Sequence, residues 1–215
     1  MQTVLHSDPL DVAETLARMG LTEEVLLNAA MQGYLARANC TANHPPLFPS
    51  FVAWGEAVKS LRDGLAPSGW VRSNERNWPR VIHPQGHIAL TVATGNEATG
   101  RFGDSPSTTS SKGPSTVEAL EVNRSLQAWL PGMEPPETES GDDDENKPTT
   151  WLLLVHHAKD EIRVELSLPL DVDHEGKVTV WRERIILRSM PLDGASREIT
   201  PPALPDIDVA VRRKA

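Results

Sequence analysis

The spacing of apolar positions changes along the chain, and that change divides it. From residue 9 to 65 apolar side chains recur every three or four positions, the period of a helix with one buried face. Ser7 or Asp8, followed by Pro9, predicts the start of a first helix with Leu10, Ala13, Leu16 and Ala17 on one face and Gly20 at its end. Thr22 predicts the cap of a second helix running to about Asn39, with Glu23 and Glu24 at the positive end of its dipole. A polar run to Pro49 precedes a third helix, in which Phe51, Trp54, Val58, Leu61 and Leu65 form one stripe.

From Arg80 the period falls to two. Arg80–Ile82 and His87–Thr94 predict a hairpin about the turn His83-Pro84-Gln85-Gly86, with Ile88, Leu90 and Val92 pointing to a core. Asp104–Pro114 is almost all Ser, Thr, Gly and Pro and reads as a mobile loop. Ser115-x-x-Glu118 has the spacing of a capping box and opens a helix whose shared face is Ala119, Val122, Leu126 and Trp129. Further on, Trp151–His157 is apolar on both faces, Glu161–Leu168 alternates, and Val178–Arg188 follows a turn around Asp171–Lys177. The tail contains Pro201-Pro202, a short candidate strand Ile207–Val211 and the basic Arg212, Arg213 and Lys214.

The expected fold is therefore α+β: a helical N-terminal region, then a mostly antiparallel meander covered by helices, with a disordered acidic linker. The segments are 1–66 (helical), 67–130 (hairpin, loop and helix), 131–150 (linker) and 151–215 (meander and tail). The hairpin and the meander are expected to share one sheet, because a strand apolar on both faces needs cover on each side.

Composition adjusts this picture. Hydrophobic content is 39% with 18 prolines in 215 residues, which predicts that part of the chain is unpacked. The net charge of −9 is concentrated: residues 131–150 carry seven acidic side chains against one basic, Lys147, while the flanking parts are nearly neutral. Cys40 is the only cysteine, so an internal disulfide and a cysteine-based zinc site are both excluded. No run approaches the roughly 20 apolar residues of a membrane span. The expectation is a cytoplasmic protein without a membrane partner or cofactor.

Catalytic motifs fail on context. Gly95-x-x-x-x-Gly100-Arg101 has the glycine spacing of a phosphate-binding loop, but Arg101 replaces the lysine, Phe102 the hydroxyl, and no helix follows. A small anion site of Gly95, Gly100 and Arg101 is what remains of it. His83, His87, His156, His157, His174, Glu97 and Asp160 bind a metal only if the fold gathers them, since His156 and His157 point to opposite sides of a strand. Glu175-x-Lys177 with Asp160 or Asp173 has nuclease-like residue types, yet it sits where a turn uses them anyway. The helix pair 10–39 resembles a helix–turn–helix only in outline, because Glu23 and Glu24 would face phosphates.

Two basic surfaces remain. Trp70, Arg72, Arg76, Trp78 and Arg80 interleave cations with flat rings, a pattern suited to clamping an acidic partner or stacking bases. Arg182, Arg184 and Arg188 share a strand face, with Glu165 expected beside Arg182, and Arg101 adds a loop cation. The leading reading is a non-catalytic adaptor- or inhibitor-type protein that docks on a protein or protein–nucleic-acid assembly through Trp70, Arg72, Arg76, Trp78, Arg80, Arg101, Arg182 and Arg184. The alternative is a metal-assisted, nuclease-like hydrolase built from histidines and carboxylates of both halves.

Overall fold

The computed structural model describes residues 3–125 and 147–192. Eight strands form one mixed sheet in the order β1-β7-β6-β5-β4-β3-β2, and β8 continues beside β6 beyond the end of β7. They are β1 (Val4–His6), β2 (Val71–Ser73), β3 (Arg80–Ile82), β4 (Ile88–Thr94), β5 (Thr149–His157), β6 (Glu161–Val172), β7 (Val178–Ile186) and β8 (Met190–Pro191). The helices are α1 (Pro9–Arg18), α2 (Glu23–Ala38), α3 (Phe48–Leu65) and α4 (Pro114–Ser125). No described helix is long and apolar enough to cross a membrane.

The α+β expectation holds in its broad form, with one correction. β5, β6 and β7 are an antiparallel meander, but β4 pairs with β5 in parallel and β1 with β7 in parallel. The reason lies in the connection. A hairpin reverses the chain, whereas the long excursion containing α4 returns it to the same end of the sheet, so β5 enters in the direction of β4.

Both faces of the central strands are covered, as their continuous apolar runs require. On one face α1, α2 and α3 pack over Val81, Leu90, Val92, Leu153, Val155, Ile162, Val164, Leu166 and Ile185. On the other, α4 and the segment after β4 cover Ala93, Leu152, Leu154, Val178 and Trp181. Leu120 is the fully buried apolar residue that α4 contributes.

Local signals set most ends correctly. The Asp8 carboxylate accepts from the Leu10 and Asp11 amides and caps α1, with Pro9 in the first turn. Two faces differ from the expected ones: Val12, Thr15 and Leu16 are the buried side of α1 while Leu10 is exposed, and Phe51 lies outside the buried stripe of α3. α4 starts at Pro114, one residue ahead of the expected capping serine, and its predicted Leu126 and Trp129 lie outside the described residues. So does most of the acidic linker, although Thr149 and Thr150 from its end belong to β5. The tail beyond Leu192, with Ile207–Val211, is likewise outside them.

α4 is fastened by Asn123, which is 1% exposed. Its amide nitrogen donates to the Thr150 and Pro169 carbonyls, and its amide oxygen accepts from the Thr150 N–H, each at 3.0 Å. Pro169 has no N–H to offer a neighbouring strand. The Asn123 side chain takes the place of the missing backbone partner at the start of β5.

Candidate binding cleft

The connection from β2 to β3 is a tight 3₁₀ turn over Glu75–Asn77, in which Arg76 (φ 52°) and Asn77 (φ 58°) are consecutive left-handed residues. Asn tolerates that conformation; Arg adopts it at a cost and needs surroundings that impose it. Arg62 of α3 supplies part of that constraint. Its guanidinium donates to the Ser73 carbonyl at 2.7 Å, the Asn74 side chain at 2.8 Å and the Arg80 carbonyl at 3.1 Å, clipping both arms of the turn.

Held this way, the turn faces the first turns of α4 across a cleft of about 380 Å³. Glu75, Arg76, Trp78 and Arg80 form one wall, Ser115, Glu118, Ala119 and Val122 of α4 the other, and Lys147, Pro148 and Thr150 the floor. Arg76 and Lys147 both pair with Glu118, the latter at 3.8 Å. Arg80 pairs with Glu75 at 3.1 Å and lies over the Trp78 ring at 4.8 Å from its centroid. Among the described lining residues three cations, Arg76, Arg80 and Lys147, stand against two carboxylates, Glu75 and Glu118. The Arg80 side chain is 13% exposed, and its Nε is buried without a hydrogen-bond partner.

The other sequence candidates sit elsewhere. Trp70 is buried, edge-on to the His83 ring at 5.0 Å, and with Arg72 it lines a separate hollow against Lys59, Arg62 and Asp63 of α3. Strand alternation explains the split: Arg72 is opposite Val81, on the helix-covered face, whereas Arg80 is opposite Ser73. Arg101 is exposed and gives its carbonyl to Arg184. Arg182 is half-buried at an irregularity in the β6–β7 pairing.

Arg184 is buried. Its guanidinium donates to the Glu165 carboxylate through Nε at 3.1 Å and Nη2 at 2.7 Å, and to the Asp104 carbonyl at 2.6 Å. Glu165, fully buried, also accepts from the Ser167 hydroxyl and the Gly100 N–H, both at 2.7 Å. The expected neighbour of Glu165 was Arg182; the turn closes wider than a tight two-residue hairpin, with the Asp173 N–H donating to the Lys177 carbonyl, and the irregularities near Pro169 add a net shift of one residue, so Glu165 pairs with Ile186 and reaches Arg184. The anion site sought in the glycine loop is thus filled from within. Gly100, at φ +70°, gives its amide to Glu165, and the Gly95 amide donates to Val155.

The loop expected to be mobile is tied down at several points. Thr108 is buried and bonded to Val178, and the Trp181 indole donates to the Pro106 carbonyl at 2.8 Å. The histidines do not gather: His83 and His87 stack edge to face, His156 meets the Gly95 carbonyl, and His157 contacts Tyr34 on the opposite face. Among the described residues no group of three or more His, Cys, Asp or Glu is placed to hold a metal ion. Asp173 receives the Glu175 and Lys177 amides, and Lys177 pairs with Glu175 at 2.6 Å, so these three are turn residues.

Sequence reading missed Ser115, Glu118 and Lys147 as partners of the Trp/Arg run. Lys147 carried a signal, being the one cation among seven acids. Nothing in the spacing placed it beside Arg76. Comparison with known proteins finds no matching family model, no similar curated protein and no similar solved structure.

Proposed function

We propose that this is a non-catalytic binding protein that docks on a protein, alone or within a protein–nucleic-acid assembly, through the cleft between the β2–β3 turn and α4. The observation that carries this reading is the convergence of Arg76, Trp78 and Arg80 with Lys147 on one open cleft. Arg76 and Arg80 are each engaged by a single carboxylate, and the exposed Arg76–Glu118 pair contributes little to folding. That pair exchanges readily for a partner's carboxylates. Glu75 and Glu118 also select: they leave too small a positive excess to neutralise a run of phosphates, so an acidic protein segment fits better than bare nucleic acid. Trp78 adds a flat apolar surface, the residue type enriched at binding hot spots.

The test is affinity capture with the wild-type chain and with Arg76→Ala/Arg80→Gln, followed by a salt series on each recovered partner. Loss of a partner in the double variant, together with weakening at high salt, supports the reading. Undiminished binding of every partner overturns it. A metal-assisted hydrolase has no gathered donor set among the described residues from which to start.

A further inference from the structure

A second site lies at the far end of β5 and on the other face of the sheet. β4 and β5 run in parallel, and their last residues, Thr94 and His157, line a cavity of about 40 Å³ beneath α2 and α3. Carboxyl ends of parallel strands are where open sheets covered by helices hold their ligands. Here the walls are small: Gly33 lets α2 approach α3 so closely that a Cβ would meet the Ala53 carbonyl at 2.6 Å, and Ala30, Ala53 and Ala57 add no more than methyl groups.

Two polar side chains give the cavity its chemistry. Nε2 of His157 is buried without a hydrogen-bond partner. Arg37, in the last turn of α2, lines the same cavity from its exposed side, and no carboxylate shares the lining. The imidazole is held neutral, its pKa lowered to about 4, first by burial and then by the Arg37 and His156 charges. A neutral imidazole donates through one ring nitrogen and accepts at the other. Beside a guanidinium it suits a carboxylate, with one oxygen on Arg37 and the other taking the Nε2 proton. At about 10–15 Å³ for each water-sized sphere, the cavity admits three or four heavy atoms. That is a carboxyl group bearing at most one further carbon.

We infer that the cavity bounded by Arg37 and His157 binds a short aliphatic monocarboxylate of acetate size. The alkyl group lies against Ala30, Ala53 and Ala57 and the carboxylate reaches Arg37. The site is independent of the acidic-segment cleft, which lies at the opposite end of β5 around Thr150.

The experiment is an NMR titration of the His157 ring with sodium acetate at constant ionic strength, on the full chain. Sodium chloride and sodium hexanoate are run in parallel, and Arg37→Gln and Ala53→Leu serve as variants. Arg37 is exposed, so its replacement leaves the fold in place, as far-UV circular dichroism will check. The expected result is a saturable shift with acetate, weakened at least tenfold in Arg37→Gln, with hexanoate binding more weakly because its chain exceeds the cavity. Ala53→Leu fills the space and abolishes the shift. No saturable shift, an equal shift with chloride, or acetate binding unchanged in Arg37→Gln would each overturn the assignment.

Discussion

Two arginine–glutamate pairs, one in the interior and one at the cleft, share their chemistry and differ in their surroundings. Arg184 and Glu165 lie under the loop after β4, 6% and 0% exposed at the side chain, joined by two guanidinium hydrogen bonds and satisfied further by Ser167, Gly100 and Asp104. Arg76 and Glu118, 63% and 43% exposed, meet across an open cleft. Desolvation separates the two pairs. In the interior each charge depends on its partner, because an ion left alone there has no water to replace it. At the cleft, water and salt screen the pair, so its members are free to change partners.

The largest effect expected follows from that difference. Arg184→Met should destabilise the fold by about 3–5 kcal/mol, because it strands the buried Glu165 charge. Equilibrium denaturation measures this, and the double variant Arg184→Met/Glu165→Leu should recover much of the loss. If the double variant is as unstable as the single one, the pair is more than a self-contained buried ion pair. Next is Asn123→Ala, which removes three hydrogen bonds at the start of β5 and should cost about 2–3 kcal/mol by leaving buried backbone groups unsatisfied. Gly100→Ala should cost about 1–2 kcal/mol. Its φ is +70°, and the new methyl would sit 3.0 Å from the Arg163 Cβ.

The cleft should behave in the opposite way. Arg76→Ala is expected to change stability by no more than about 0.5 kcal/mol while weakening the docked partner, with a reduced salt dependence of binding. Glu118→Gln releases Arg76 from its carboxylate and should strengthen an acidic partner by a small factor, measurable by titration calorimetry. A loss of stability as large as that of Arg184→Met would erase the contrast between the two regions.

A smaller signal concerns acid. The folded-state pKa of His157 lies at about 4, below the ordinary value of 6.5, so the unfolded chain binds the extra proton first. The stability this neutral imidazole contributes is complete above about pH 6.5 and declines as pH falls towards 4. Denaturation midpoints at pH 7 and pH 5 should differ by less in His157→Leu than in the wild type.

The elements were legible where a period and a stop signal agreed. Asp8-Pro9 and Gly20 bound α1, and the alternation Ile88, Leu90, Val92 marks β4 correctly. Three-residue strands such as β1 and β2 are too short to show a period, and their pairing is decided by partners far along the chain. The same limit hid the cleft. Arg76, Trp78 and Arg80 stood out as a run, but Glu118 and Lys147 join them through packing of α4, which no local spacing encodes. Arg184 appeared as one cation in a strand-face stripe because the turn closes between Asp173 and Lys177 and an irregularity near Pro169 adds one more residue of shift, and neither leaves a sure mark in sequence.

The two short strands have one more consequence. Among the described residues, β1 and β2 end the main path of the sheet with three residues each, while the strands they flank include the nine-residue β7. An unpaired strand edge is a template for adding another chain, and its hazard grows with length. Val4–His6 covers the C-terminal part of β7 at Glu183, Arg184 and Ile185, so a three-residue segment shields part of the edge at which a nine-residue strand would otherwise recruit a second molecule.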